Sequence, residues 1–147
     1  RTQVDVVLPS GHAVLNAEDE LVADFAELCD GEVIFFAVDP ANPVLVAHLA
    51  AGKRGVTVAD NRIVLRSGSD ETRLCRLIDA PYIGKAKQAK HIANVLAGIA
   101  AGWALGLSQE VMTTGLKTFG LELADPASLI LSPAKKSQPK KPATARK

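Results

Sequence analysis

The sequence predicts an α/β fold in which a mixed, mostly parallel sheet with a β-hairpin is flanked by helices. Three observations predict it. Short apolar runs alternate with helical patterns, one apolar run without alternation indicates a strand covered on both faces, and a two-residue turn separates two strand-like segments. The chain has 147 residues, of which 48% are hydrophobic, so we expect one domain with a compact core.

The first part of the chain predicts two short strands followed by a helix. Val4–Leu8 and His12–Leu15 are short apolar runs on either side of a Pro-Ser-Gly turn, and together they allow a hairpin. Acidic residues at positions 18 to 20 favour the first turn of a helix that opens within Asn16–Asp19 and ends at Asp30-Gly31. Its expected buried face carries Leu21, Val22, Phe25, Leu28 and Cys29.

The middle of the chain contains the most hydrophobic strand candidate, Val33–Val38, whose continuous apolar run suits a strand buried on both faces. Asn42-Pro43 then begins a short helix, with proline in its first turn. Asp60-Asn61 is a favourable two-residue hairpin turn. Three further strands are expected at Gly55–Ala59, Arg62–Arg66 and Thr72–Ile78.

The strongest predicted helix is Ile92–Gly106, in which apolar residues recur at helical spacing. Its uncharged run of roughly 16 residues is shorter than the ~20 that a bilayer span needs, so we expect no membrane insertion. Ser108 is expected to cap a final helix. The inner face of that helix is expected to carry Met112, Leu116 and Phe119.

The C-terminal residues form a low-complexity segment. We divide the chain into a folded part, residues 1–122, and a tail, residues 123–147, that is expected to be disordered because it lacks apolar periodicity. Six basic residues and no acidic one lie between Lys135 and Lys147. No aromatic residue is interleaved with these charges, so we expect a solvated terminus without a nucleic-acid partner.

The composition predicts no self-contained catalytic or metal site. The three histidines are far apart in sequence and lack metal-ligand spacing. No Gly-x-x-x-x-Gly-Lys-Ser/Thr or Gly-x-Ser-x-Gly pattern occurs. Cys29 and Cys75 lie in apolar stretches outside any Cys-x-x-Cys pair, which indicates reduced thiols and a cytoplasmic protein.

Two asparagines stand out as candidate site residues. Asn16 lies where a predicted strand runs into a helix, and ligands of open α/β sheets bind at the carboxyl ends of strands. Its amide either reads the edge of a purine or caps the following helix. Asn94 lies within an otherwise apolar helix. It is either a buried, hydrogen-bonded structural amide or a group that faces a ligand.

Two sequence stretches, at residues 13–19 and at residues 91–106, together resemble the cyanophycin synthetase family, whose C-terminal region is Mur-ligase-like. Residues 13–19, Ala-Val-Leu-Asn-Ala-Glu-Asp, are similar to the Leu-Asn-Ala-Asp-Asp-Pro signature of that region. Residues 91–106 are similar to the family's Glu-Asn-Val-Leu-Ala-Ala-Ile-Ala-Ala-Ala-Trp-Ala-Leu-Gly helix. The chain departs from the family at Glu18, Glu20 and Ala93, and it lacks the family's Asn-Pro-Gly-Arg-Phe stretch after Phe119.

The resemblance implies that residues 1–122 are the second half of a Mur-ligase-like ATP-binding domain. Such a ligase uses ATP and Mg²⁺ to activate a carboxylate as an acyl phosphate, and adds aspartate or arginine to a cyanophycin primer. By this resemblance Asn16, Glu18, Asp19 and Asn94 are the nucleotide-binding residues.

The chain begins at Arg1 and contains no P-loop, so we expect a piece of a longer ligase that is inactive alone. The alternative is a non-catalytic α/β binding or assembly module, and a homo-oligomer is compatible with both interpretations.

Overall fold

The computed structural model describes residues 2–86 and 89–119, and the predicted tail, residues 123–147, lies outside them. A five-stranded mixed sheet with flanking helices confirms the predicted α/β class. The strands are β1 (His12–Asn16), β2 (Glu32–Ala37), β3 (Arg54–Ala59), β4 (Arg62–Ser67) and β5 (Asp70–Arg76). The helices are α1 (Thr2–Asp5), α2 (Glu20–Ala23), α3 (Pro43–Ala50), α4 (Pro81–Ala86), α5 (Ala89–Ala104) and α6 (Gln109–Thr118).

The strands follow one another across the sheet in chain order. β1, β2 and β3 are parallel, whereas β3, β4 and β5 pair antiparallel. The β3–β4 connection is the predicted hairpin, and Asp60 and Asn61 have φ angles of 49° and 57°, as a type I′ turn requires. One sheet therefore combines a parallel half, whose carboxyl ends share an edge, with an antiparallel half.

Strand β2 is buried on both faces, as its continuous apolar run predicts. Ile34 and Phe36 belong to a core under α5, and Val33 and Phe35 belong to a second core on the opposite face. The first core also contains Val56, Ile63, Leu65, Leu96, Ile99, Ala100, Met112 and Leu116. The second contains Val4, Ala13, Leu15, Ala17, Ala23, Ala37, Leu45 and Leu49. The sheet is thus sandwiched between two helical layers.

Three N-terminal predictions are wrong. Val4–Leu8 is not a strand: Thr2–Asp5 is helical, so the predicted hairpin with β1 does not form. Val4 is buried in the second core while Leu8 is 70% exposed, a burial pattern that does not alternate as a strand's would. Leu21 is 77% exposed because α2 lasts only four residues before the chain tightens into a 3₁₀ helix at Asp24–Leu28.

The C-terminal elements follow their predictions closely. Ser108 Oγ accepts a hydrogen bond from Val111 N–H at 3.3 Å and caps α6. Met112 and Leu116 are buried as expected. Phe119 is 62% exposed and therefore does not belong to the buried face, because α6 ends one residue earlier. Among the described residues, no helix has both the length and the apolar content needed to cross a bilayer.

His48 is a buried titratable group in the second helical layer. Its Nε2–H donates to the carbonyl oxygen of Val33 at 3.0 Å, and its ring packs edge-on against Phe35. Burial lowers the pKa of His48 below its ordinary value, although the hydrogen bond to Val33 opposes this shift. The folded protein therefore favours neutral His48.

Gly31 allows the turn before β2 to lie directly against the turn before β1. A Cβ built on Gly31 lies 2.5 Å from the carbonyl oxygen of Gly11 and 2.7 Å from that of Leu8. We expect Gly31→Ala to lower the free energy of unfolding by about 2 kcal/mol, because backbone atoms must move. Urea denaturation measures this change. The control Gly98→Ala, in open space on α5, should instead stabilise by about 0.5–1 kcal/mol.

We expect the protein to lose stability as the pH falls below about 6.5, because unfolded His48 binds a proton that folded His48 resists. His48→Gln keeps an amide donor for Val33 and removes the titration. Urea denaturation at about pH 7.5 and about pH 5.5 should show that the free energy of unfolding falls less in the variant than in the wild-type chain. Parallel pH profiles would contradict this role, since His12 and His91 are common to both proteins.

Candidate functional site

The candidate site lies at the edge where the three parallel strands end. β1 ends at Asn16, β2 at Ala37 and β3 at Ala59. Asn16 pairs in register with Phe36 of β2, so the loops that follow the first two strands are neighbours. Ligands of open α/β sheets bind at such carboxyl ends, so this edge is where the sequence places its candidate residues.

Asn16 is half-buried and carries a free amide donor. Its Oδ1 accepts a hydrogen bond from Glu18 N–H at 3.0 Å, which closes an Asx turn. The adjacent Ala17 N–H donates to the carbonyl oxygen of Phe36 at 2.9 Å and fixes the backbone to β2. Within residues 2–86 and 89–119, no hydrogen bond engages Asn16 Nδ2. The side chain is therefore oriented by its oxygen and keeps its NH₂ group for another acceptor.

Glu18 ties the first loop to the second. Its Oε1 accepts hydrogen bonds from Val38 N–H at 3.0 Å and Asp39 N–H at 2.9 Å, so one carboxylate oxygen satisfies two backbone donors just after β2. The sequence places Glu18 in the candidate site, but it does not reveal this contact, which joins residues 20 and 21 positions apart.

Asp19, rather than Asn16, caps the helix that follows β1. Asp19 Oδ1 accepts hydrogen bonds from Leu21 N–H at 3.1 Å and Val22 N–H at 3.2 Å. The hypothesis that Asn16 is the helix cap is therefore wrong, because the helix begins four residues later, at Glu20.

Asn42 is a further residue of this edge whose role sequence reasoning missed. Its Nδ2 donates to the carbonyl oxygen of Ala17 at 3.2 Å, and its Oδ1 accepts from Leu45 N–H at 3.0 Å as the cap of α3. The Asn-Pro pair predicts the helix start, but nothing local predicts the reach back to Ala17. Together Glu18 and Asn42 connect the loop after β1 to the loop after β2.

Asn94 lies toward the same carboxyl ends of the strands as Asn16, but it lines a groove between two helices. Trp103, near the end of α5, lies under the guanidinium group of Arg54, 4.9 Å from carbon to ring centroid. Arg54 begins β3, so the first turns of α5 lie toward the carboxyl edge of the strands. Asn94 is exposed, which contradicts the buried-amide hypothesis. It lines a groove of about 480 Å³ between α5 and α6 that does not include Asn16.

Charged side chains connect the three parallel strands at their amino ends, opposite the candidate site. Arg54 Nε and its terminal nitrogen donate to the two carboxylate oxygens of Glu32, each at 2.6 Å, and His12 Nε2 lies 3.4 Å from the same carboxylate. The bidentate hydrogen bonds from Arg54 lower the pKa of Glu32. These contacts join the first residues of β1, β2 and β3, at the end of the strands opposite Asn16.

The described residues offer a poor fit for a resident metal ion. No group of three or more His, Cys, Asp or Glu side chains converges within the described ranges. Near Asn16, one oxygen of Glu18 and one of Asp19 each accept two backbone N–H groups. Magnesium usually binds through one or two carboxylates plus substrate phosphates. A magnesium site would therefore need ligands other than Glu18 and Asp19.

Comparison with known proteins finds relatives whose sequences are similar to most of this chain. The chain is 34% identical over 115 residues to the cyanophycin synthetase of Synechocystis sp., a match that covers 78% of this chain and 13% of that protein. The synthetase of Geminocystis herdmanii is 29% identical over 109 residues, covering 74% and 12%.

The chain is related to the cyanophycin synthetases.

Five curated cyanophycin synthetases match at 28–34% identity, and the chain spans only 12–13% of their length. The UDP-N-acetylmuramoylalanine–D-glutamate ligase of Chlorobium chlorochromatii is 32% identical over 88 residues, which cover 59% of this chain and 18% of that protein. No protein-family model matches the sequence. The chain is therefore similar to one short segment of these ligases, and its α/β fold is consistent with a ligase-like domain.

We expect Glu18→Ala to destabilise the protein by about 1 kcal/mol, because two N–H groups of the second loop lose their acceptor. Hydrogen–deuterium exchange should show faster exchange at Val38 and Asp39. Glu18→Gln keeps an Oε1 acceptor and should retain most of the slow exchange. Unchanged exchange at both amides in Glu18→Ala would show that Glu18 does not connect the loops in solution.

Proposed function

We propose that this chain is the adenine-binding half of the ATP-binding domain of a ligase that resembles cyanophycin synthetase. In the longer parent protein, the reaction joins a carboxylate to an amine through an acyl phosphate, with ATP and Mg²⁺. The substrates are a cyanophycin primer and aspartate or arginine, and the parent acts in the cytoplasm. Alone, this chain binds the base of a nucleotide and does not catalyse ligation.

The observation that carries the proposal is the free amide donor of Asn16 at the carboxyl edge of parallel strands. An asparagine amide pairs with adenine through an acceptor for N6–H and a donor for N7. Asn16 Nδ2 supplies the donor. Its Oδ1 accepts from Glu18 N–H and retains a second lone pair for the base.

Glu18 and Asp19 support the proposal as positioning residues. Glu18 holds the loop after β1 against the loop after β2, and Asp19 fixes the start of α2. Both carboxylates therefore stabilise the loop that carries Asn16. Asn94 is the fourth nucleotide-binding residue of the proposal: it is exposed, in the second turn of α5, at the end of that helix that lies toward the carboxyl ends of the parallel strands.

The absence of catalysis follows from the chemistry of phosphoryl transfer. That chemistry needs backbone donors, a lysine and metal ions placed around the phosphates. The sequence contains no Gly-x-x-x-x-Gly-Lys-Ser/Thr loop to supply them. A chain that contacts only the adenine therefore gains little affinity from the phosphates of ADP or ATP.

Isothermal titration of the full chain with adenosine, ADP and ATP tests the proposal. We expect weak binding of all three with similar affinity, largely independent of Mg²⁺. Asn16→Asp keeps the oxygen that accepts from Glu18 N–H but removes the donor, so adenosine affinity should fall about tenfold or more. Adenosine is the ligand for this comparison because it is uncharged, whereas the new carboxylate would repel the phosphates of ADP and ATP.

Gln109→Glu makes the same amide-to-carboxylate change at the first residue of α6, away from the Asn16 loop, and should leave adenosine affinity unchanged. No detectable binding of any nucleotide by the wild-type chain would refute nucleotide recognition. That result would favour the alternative function, a non-catalytic binding or assembly module. Measurable ligation by the chain alone would refute the inactive half-site.

A further inference from the structure

The groove between α5 and α6 is an exposed apolar surface. It has a volume of about 480 Å³ and extends from Asn94 in the second turn of α5 to Leu107 after its end. Val111 and Phe119 of the second wall are 54% and 62% exposed. Large contiguous apolar surfaces on a folded domain usually mark a contact with another segment or molecule.

Two glycines deepen this groove. A Cβ built on Gly98 of α5 or on Gly115 of α6 meets no atom within 4 Å, so the space above both helices is open. Both residues line the groove, one on each wall. Glycine is unfavourable within a helix by about 1 kcal/mol relative to alanine, and at these two positions the missing side chains widen the groove.

We propose that residues 121–131 of this same chain bind in the groove, so that the disorder expected of the tail begins only after residue 131. The helix α6 ends at Thr118, and Phe119 lies at the Asn94 end of the groove, with its ring 5.1 Å from that of Tyr82. The next residue, Gly120, allows the chain to reverse direction after the helix. In this proposal the chain reverses there and follows the groove toward Leu107.

The segment has the composition and length that the groove requires. Its sequence is Leu-Glu-Leu-Ala-Asp-Pro-Ala-Ser-Leu-Ile-Leu, with five large aliphatic residues and two acidic ones. The stretch of α5 from Asn94 to Gly102 is about 12 Å long, whereas eleven extended residues reach about 36 Å. The direct covalent link to α6 also raises the effective concentration of the segment to the millimolar range.

Hydrogen–deuterium exchange of the full chain tests this intramolecular contact. We expect amides within residues 121–131 to exchange about tenfold or more slowly than in a free peptide of the same sequence. Gly115→Leu fills the groove and favours the helix, so it should release the segment without unfolding the domain. Thr114→Leu, at the neighbouring exposed position of α6 outside the groove, should leave the slow exchange intact.

Light scattering after size exclusion, repeated over a tenfold range of protein concentration, separates this contact from self-association. A monomer with concentration-independent slow exchange supports the proposal. Exchange at the free-peptide rate in the wild-type chain would overturn it. A dimer that Gly115→Leu converts to monomers would also overturn it, because a second copy would then occupy the groove.

Discussion

The parallel alignment of β1, β2 and β3 is the constraint on which the candidate site depends. Parallel strands bring their carboxyl ends to one edge, so the loops after Asn16 and Ala37 must lie side by side. Backbone donors in such loops have no strand partner and need another acceptor. Glu18 supplies it for Val38 and Asp39, so the loop that carries Asn16 is held by the neighbouring strand's loop.

The elements with strong local signals were predictable from the sequence. The apolar run of β2, the Asp60-Asn61 turn and the Asn-Pro start of α3 each specify structure within a few residues. Strand propensity did not predict the segment Val4–Leu8, because Thr2–Asp5 is helical and Val4 packs in the second core although β1 is an edge strand of the sheet. The exposure of Leu21 was likewise not predictable, because it depends on where α2 changes to a 3₁₀ helix.

The candidate site likewise contains features that the local sequence predicts and features that it does not. The position of Asn16 at a strand end follows from local pattern, and so does its place at the ligand edge of an α/β sheet. The contacts of Glu18 and Asn42 join residues 20 to 25 positions apart, and only the assembled sheet creates them. The exposure of Asn94 depends on how α6 packs against α5, which helical periodicity alone does not specify.

The contact between Arg54 and Trp103 gives the chain an intrinsic optical reporter. Trp103 is the single tryptophan of the sequence, so its fluorescence comes from one known place. Its ring packs under a guanidinium group that is itself bound to Glu32, at the edge of the sheet away from Asn16. Emission from this indole therefore monitors the docking of α5 on the sheet without a dye, and ligands at the carboxyl edge leave its immediate surroundings untouched.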